Sequence, residues 1–314
     1  MVLIKQIIVL HPTLNAAGGG EKVALRIIYA LSKKNLKVNL YTVVKTDWKK
    51  IEKVFTDFQK PSKECYLFEK APRSGSDFLD SIIMTLSFIF LLIYTRITHN
   101  ELQINTCGEK VNAVSDIVYI NAIPLRSAYA LKATKRSRKI ISLFYNVIVS
   151  KLDCLMPTNI LISNSNFNRE LVKRTYNQET LVIYPPIDLS SIKINTFKKK
   201  NRVVIVTRYL PEQGLEIVPE LVYNLKELDF ILIGPSSEAS VGIIKDLVNN
   251  CNALGILDRI KILCNQSFST YLKTLYSSSV ILRTLPSEPF GISVIEAMAS
   301  GCIPVVRKDS GAWL

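Results

Sequence analysis

VILRTLPSEPFGISVIEAMASGCIPVV, residues 280–306, reads as one complete strand, turn, helix and strand. Val280–Leu282 is a short apolar run rich in β-branched residues, suited to a strand buried on both faces. A turn containing Pro286, Pro289 and Gly291 follows, then helical spacing over Ile292–Ser300 and a second apolar run at Ile303–Val306. Two buried strands joined by a helix form a parallel βαβ unit, the building block of α/β layers.

The same rhythm extends upstream. Strands are expected at Val203–Val206, Phe230–Ile233 and Ile260–Leu263, with helices from about Gly214, up to about Cys251, and over Thr270–Tyr276. Before them, Tyr184-Pro185-Pro186-Ile187-Asp188 and a Ser/Lys-rich stretch ending in Lys198-Lys199-Lys200-Asn201 read as an interdomain linker. The rhythm recurs in the first half. Strands are expected at Ile7–Leu10, Val38–Val44, Ile117–Ile120 and Ile160–Ile162, with a loop from His11 to Gly20 and helices resuming at Val23 and about Asn166. The expected architecture is α/β, two doubly wound domains: residues 1–184, a linker 185–201, and 202–314. Ligands in such folds sit at the carboxyl ends of the strands, so the site is expected in a cleft between the domains.

Composition removes several classes of function. With 48% hydrophobic and 21% charged residues in 314, the chain has material for large cores. Two histidines, His11 and His99, make a His-built metal site a poor fit. Six scattered cysteines without a C-x-x-C pair read as reduced and mostly buried. Of the net charge of +14, residues 1–150 hold 22 basic against 11 acidic side chains. The first half is therefore expected to face something anionic.

Two segments bear on that partner. Ile82–Tyr94 (IIMTLSFIFLLIY) is uncharged over 13 residues. It is short for a bilayer span of roughly 20 residues, and is compatible with a buried helix or with a helix lying in a membrane interface. Lys132–Lys139 holds five cations in eight residues, suited to a solvated helix end or to phosphates. No aromatic-interleaved basic platform appears, which argues against nucleic acid.

Three strand-to-helix turns carry the candidate chemistry. Asn15-Ala-Ala-Gly18-Gly19-Gly20-Glu21 lets the backbone approach a ligand before a helix N-terminus, and lacks the dinucleotide spacing G-x-G-x-x-G. Arg208 follows strand Val203–Val206 and is placed to grip a diphosphate, or to form a surface salt bridge. Glu288 and Glu296 flank Pro289-Phe290-Gly291, one before the helix and one just past its first turn. Carboxylates there can accept hydrogen bonds from sugar hydroxyls, while exposed turn amides meet a phosphate. Two acids flanking a scissile bond are also the glycosidase arrangement, but hydrolysis needs both beside the anomeric carbon.

The Glu288-x7-Glu296 pattern with its trailing Ala-Met-Ala-Ser-Gly301 resembles the donor-binding motif of retaining GT-B glycosyltransferases, family 4 (glycosyl transferases group 1). Arg208 before Pro211-Glu212-Gln213-Gly214 resembles that family's diphosphate-gripping element. His11-Pro-Thr-Leu-Asn-Ala-Ala-Gly-Gly-Gly-Glu-Lys22, Asn164-Ser165 and Tyr184–Asp188 are similar to the branch of α-1,2-mannosyltransferases that extend dolichol-diphosphate-linked oligosaccharides. The resemblance implies a retaining hexosyltransferase, moving mannose from GDP-mannose to a polyprenyl- or dolichyl-diphosphate-linked glycan without metal or cofactor. It implies catalytic roles for Glu288 and Arg208, with Arg208 stabilising the departing nucleoside diphosphate. Glu296 would hold the ribose, and Phe290, Gly291 and Ile292 would offer amides to sugar and phosphate. Gly18, Gly19 and Gly20 would line the diphosphate side. Ile82–Tyr94 and Lys132–Lys139 would face an anionic membrane, placing the chain on the cytoplasmic face.

The chain departs from the family pattern in three places. Gln213, expected among the substrate-binding residues, stands where many members have Lys, so one diphosphate cation is missing and Lys22 is a candidate substitute. Asn121 stands where many members have His. Relatives continue beyond the last strand, so the C-terminal domain reads as truncated at Leu314. Two alternative readings use the same residues: a cell-surface polysaccharide glycosyltransferase, and a non-catalytic donor-binding protein of the same fold.

Overall fold

The computed structural model describes residues 5–55, 58–75, 77–108, 114–122, 160–189, 192 and 198–313. The basic run Lys132–Lys139 and Cys154 lie outside the described residues. The chain divides into two compact units, Met1–Pro186 and Ile187–Leu314.

The first unit is built on a parallel seven-stranded sheet. Its strands are β1 (Gln6–His11), β2 (Lys37–Val44), β3 (Lys63–Phe68), β4 (Leu102–Asn105), β5 (Ile117–Ile120), β6 (Ile160–Ser163) and β7 (Leu181–Val182), in the order β3-β2-β1-β4-β5-β6-β7. Helices α1 (Gly19–Lys33), α2 (Trp48–Val54), α3 (Asp77–Thr98) and α4 (Asn166–Tyr176) pack around it. The alternation of β1 divides two cores between the faces of the sheet. Ile7 and Val9 pack with Ala24, Leu25 and Ile28 of α1. Ile8 and Leu10 pack with Phe88, Leu91 and Leu92 of α3. Full burial of side chains of this size contributes about 1.5–3 kcal/mol each.

The second unit repeats the plan with β8 (Lys200–Val206), β9 (Asp229–Gly234), β10 (Ile260–Cys264), β11 (Ser278–Leu282) and β12 (Ile303–Val305). All the pairings are parallel and the order is β10-β9-β8-β11-β12, the doubly wound arrangement. Helices α5 (Val218–Asn224), α6 (Val241–Ala253), α7 (Phe268–Ser277) and α8 (Ile292–Ala299) complete it. Val203 and Ile205 face Val218, Val222 and Leu247, while Val204 faces Leu275, Val294 and Ala297.

Several local expectations differ from the structure. His11 is the last residue of β1 and is buried, not part of the loop. The helix expected from Gly214 is two short 3-10 turns, Pro211–Gln213 and Leu215–Ile217, with α5 starting only at Val218. Gly214 adopts a left-handed φ of 68°, which interrupts the spiral, and a Cβ there would meet the carbonyl oxygen of Thr284 at 2.8 Å. At the end of the stretch read as linker, Lys200 and Asn201 already belong to β8. Lys199 is not simply solvated: its Nζ donates to the carbonyls of Leu275 (3.1 Å) and Ser300 (2.6 Å) at the C-terminal ends of α7 and α8. A cation there meets the negative ends of two helix dipoles.

The apolar run Ile82–Tyr94 lies within α3, a helix of 22 residues. Phe88, Leu91, Leu92 and Thr95 face the sheet, while Leu79, Leu86, Phe90, Ile93 and Ile97 are exposed, Ile97 by 78%. Spacings of 3, 4 and 7 place these five on one stripe. Among the described residues no helix is long and apolar enough to cross a membrane.

Candidate functional site

In each sheet the strand order reverses beside the first strand of the unit, between β1 and β4 and between β8 and β11. Loops leaving two such neighbours turn to opposite sides and open a crevice at their carboxyl ends, where ligands of open α/β sheets bind. The candidate residues of the second unit collect at the β8/β11 point.

Arg208 lies just beyond the end of β8. Its side chain is exposed, and among the described residues no ion pair or hydrogen bond engages its guanidinium, so the surface salt bridge is not formed. Tyr209 next to it is fully buried and anchors this loop: its hydroxyl is shared between the carbonyls of Leu232 and Leu263, both at 3.1 Å. Gln213 is 1% exposed. Its Oε1 lies 3.3 Å from the Thr207 hydroxyl and 3.4 Å from Arg283 Nη1, and its backbone carbonyl accepts the Thr284 hydroxyl at 2.6 Å. Its Nε2 is buried without a partner among the described residues.

Glu288 stands in the turn after β11. Arg283, one residue past the strand, donates through Nε (2.7 Å) and Nη2 to Glu288 Oε2, and through Nη1 to the carbonyl of Val206 (2.8 Å). Both side chains are nearly buried, at 12% and 13% exposure. Losing one member of such a pair costs about 3–5 kcal/mol, because the other charge is left stranded. The turn itself is tightly wound. Ser287 has φ 50° and Gly291 φ 87°, so the chain reverses twice through the left-handed region before α8 begins. A Cβ at Gly291 would also crowd the Ala312 methyl at 3.1 Å.

Gly291 is the N-cap of α8, whose first turn begins with Ile292. Val294 donates its amide to the Gly291 carbonyl at 2.9 Å, whereas the amides of Ile292 and Ser293 have no acceptor among the described residues and point out of the helix start. Phe290 and Ile292 on either side are half-buried. Glu296, one turn on, is 8% exposed and so lies against the protein, away from solvent. Its Oε2 accepts from the Tyr271 hydroxyl of α7 at 2.7 Å. Burial and the neighbouring Glu296 charge push the Tyr271 hydroxyl well above the usual tyrosine range, so it remains a donor.

The glycine element belongs to the first unit. Gly18 donates its amide to Glu21 Oε2 at 2.8 Å, so that donor is already occupied. Gly19 and Gly20 open α1. Beneath them His11 Nδ1 lies 2.9 Å from Thr106 Oγ1, and Thr106 gives its only hydroxyl hydrogen to the Leu10 carbonyl. His11 Nδ1 is therefore the donor, and its Nε2 faces Glu21 Oε1 at 3.7 Å. Burial alone would raise the Glu21 carboxyl, but the His11 contact and the Gly18 amide outweigh it and hold the carboxyl below its ordinary value. Asn121, at the end of β5, donates to the Thr106 carbonyl at 2.8 Å and belongs to the same polar floor.

The structure thus joins Gln213 and Glu288 through Arg283, and Glu296 to Tyr271. Sequence reasoning missed both partners. Arg283 directly follows a strand, the same signal that singled out Arg208, whereas nothing local marks Tyr271.

Residues 187–312 match the family model of Glycosyl transferases group 1. The chain is 22% identical over 264 residues to a GDP-Man:Man(3)GlcNAc(2)-PP-Dol alpha-1,2-mannosyltransferase of Dictyostelium discoideum, covering 79% of this chain and 46% of the relative. It is 28% identical over 193 residues to the protein of the same name in Xenopus laevis, covering 56% and 38%. The chain therefore spans less than half the length of these two relatives. Among solved structures, WaaG, a glycosyltransferase involved in lipopolysaccharide biosynthesis, superposes with a TM-score of 0.70 at 10% identity, over 97% of this chain and 82% of that one. Anabaena Alr3699/HepE in complex with UDP-glucose superposes at 0.67 and 15% identity, over 98% and 82%. The fold is that of GT-B glycosyltransferases, and the glycosyl transferases group 1 match falls within the second unit.

Proposed function

We propose that this chain is a retaining hexosyltransferase that moves mannose from GDP-mannose to a polyprenyl- or dolichyl-diphosphate-linked glycan. The observation that carries the reading is the cluster at the β8/β11 crevice. An exposed Arg208 without a side-chain partner among the described residues, the α8 start with its unbonded Ile292 and Ser293 amides, and two fixed carboxylates, Glu288 and Glu296, meet the two demands of a sugar nucleotide: anionic phosphates and hydroxyl donors. The names of the mannosyltransferase relatives support the choice of sugar and acceptor. In this reading Arg208 and the turn amides of Phe290, Gly291 and Ile292 stabilise charge gathering on the departing diphosphate. Glu288 binds the hexose hydroxyls beside the reacting carbon, and Glu296 takes the ribose.

Calorimetric titration with GDP, UDP, GDP-mannose and UDP-glucose tests the donor. Guanine-selective binding that falls at least about tenfold in Glu296→Ala is expected, a loss of about 1.4 kcal/mol. Unchanged affinity in that variant removes the assignment.

The acceptor of this reading is membrane-bound. The exposed stripe of α3 lies against an anionic membrane on its cytoplasmic face, helped by the basic excess of the first half and by Lys132–Lys139. Sedimentation with vesicles of phosphatidylcholine, with and without phosphatidylserine, is expected to carry the protein down only when the anionic lipid is present. Leu86→Ser/Phe90→Ser/Ile97→Ser is expected to stay in the supernatant with an unaltered melting temperature. Sedimentation of the triple variant equal to wild type rejects this placement.

A further inference from the structure

We infer that Arg283 is a positioning residue for the donor site, orienting Glu288 and Gln213 and supplying the second positive charge of the diphosphate pocket. The inference rests on the proposed reading of residues 187–312 as a nucleotide-sugar site.

Three observations converge on this one guanidinium. First, Nε and Nη2 both donate to Glu288 Oε2. One carboxylate oxygen is thereby pinned, and Oε1 is left with no protein partner among the described residues. Second, Nη1 lies at Gln213 Oε1. A guanidinium has donors only, so it settles which way the carboxamide is turned: oxygen toward Arg283, NH2 away from it. Third, that NH2 is buried and unmet. A buried donor pair held fixed and left empty is complementary to an acceptor the protein itself does not provide.

Pinned this way, Glu288 Oε1 offers an acceptor and Gln213 Nε2 a donor pair. A sugar nucleotide carries the counterparts of both, hydroxyls on the hexose and unesterified oxygens on the phosphates. The charge balance agrees. Arg208 and Arg283 against Glu288 leave one net positive charge facing the diphosphate, although residue 213 is neutral. The cation that position 213 lacks is thus supplied by Arg283, 3.4 Å away, in place of the Lys22 suggested by sequence. The Val206 carbonyl at 2.8 Å fixes the same guanidinium to the end of β8, so one side chain ties the β11 turn to the β8 end of the crevice.

The test separates charge from geometry in the full chain, with GDP and GDP-mannose as probes, by calorimetry and by GDP release from GDP-mannose. Arg283→Lys keeps the charge and loses the fork. Its GDP affinity is expected within about threefold of wild type while kcat falls about thirtyfold or more, as Glu288 is released. Arg283→Gln is expected to lose about tenfold or more in GDP affinity. Adding Gln213→Lys to it returns the charge from the neighbouring position, so GDP affinity recovers to within about threefold and kcat does not. A melting curve accompanies each variant. If Arg283→Gln does not fold, Arg283→Lys and Gln213→Leu decide, the second being expected to weaken GDP binding at constant melting temperature. Wild-type kcat in Arg283→Lys, or a folded double variant that regains no affinity, overturns the inference while leaving the donor site in place. Wild-type protein that binds neither GDP nor GDP-mannose overturns the donor-site reading, and the inference with it.

Discussion

Glu296 has given up nearly all contact with water, so neighbours in the protein hold its side chain in place. The Tyr271 hydroxyl is one of them, and a hydrogen bond to a charged group contributes about 1.5–3 kcal/mol. Tyr271→Phe is therefore expected to weaken nucleotide binding by about tenfold through a misplaced Glu296. Calorimetry on the folded variant checks this, and an affinity equal to wild type excludes the coupling. Glu288 and Glu296 were legible in the sequence because their meaning is local: a spacing, a turn and a helix start within fifteen residues. Tyr271 and Arg283 were not, because each acquires its role from a residue brought beside it only by folding. Gly18 shows the converse. The glycine run invites a ligand, but the nearest acceptor for the first of its amides is Glu21 of the same helix.

That capping contact has consequences for α1. A carboxyl held below its ordinary value stabilises the folded state at neutral pH, and this contribution is lost as pH falls below about 4.5 toward the depressed value. Glu21→Gln is expected to lower the melting temperature at pH 7 and to narrow the difference from wild type on acidification below pH 4. A constant difference across that range would show that the charge contributes nothing. Helix α3 supplies a second contrast, between its two sides. Leu91→Ala opens a cavity in the core against the sheet and is expected to cost about 2–5 kcal/mol by denaturant unfolding. Phe90→Ser on the exposed stripe is expected to cost less than about 1 kcal/mol. The strands buried on both faces were readable from their apolar runs. Strand β4 was not: Gln103 and Asn105 interrupt its pattern, yet both are fully buried. Strand β3, KECYLF, borders the sheet and is largely exposed, so no hydrophobic run announces it. The helix expected from Gly214 was misjudged because a left-handed glycine looks, in sequence, like any other glycine.

Across the whole molecule, each described core lies within one unit. Leu91→Ala, which weakens the first unit, is therefore expected to leave GDP affinity unchanged as long as the chain stays folded, whereas saturating GDP stabilises wild type by about 2.7 kcal/mol at 100 times its dissociation constant. Titration and thermal scans of the same sample measure both. A drop in affinity in that variant would mean that the first unit contributes to donor binding through its own stability. The two-unit plan itself came from the sequence, since the alternation of strand and helix stops at paired prolines and starts again.

The parallel sheets also set an order in time. Val204 on β8 pairs with Ile281 on β11, and Val9 on β1 with Ile104 on β4. In each unit the first strand leaves the ribosome before both of its sheet neighbours, and the neighbour across the switch in strand order is made only after two further strands and the helices that cross between them. The β8/β11 crevice therefore cannot exist on a nascent chain until translation has passed β11. Ribosome-stalled chains ending before Ser278 should hold β8 without its second neighbour, exposed to whatever chaperone first reaches it.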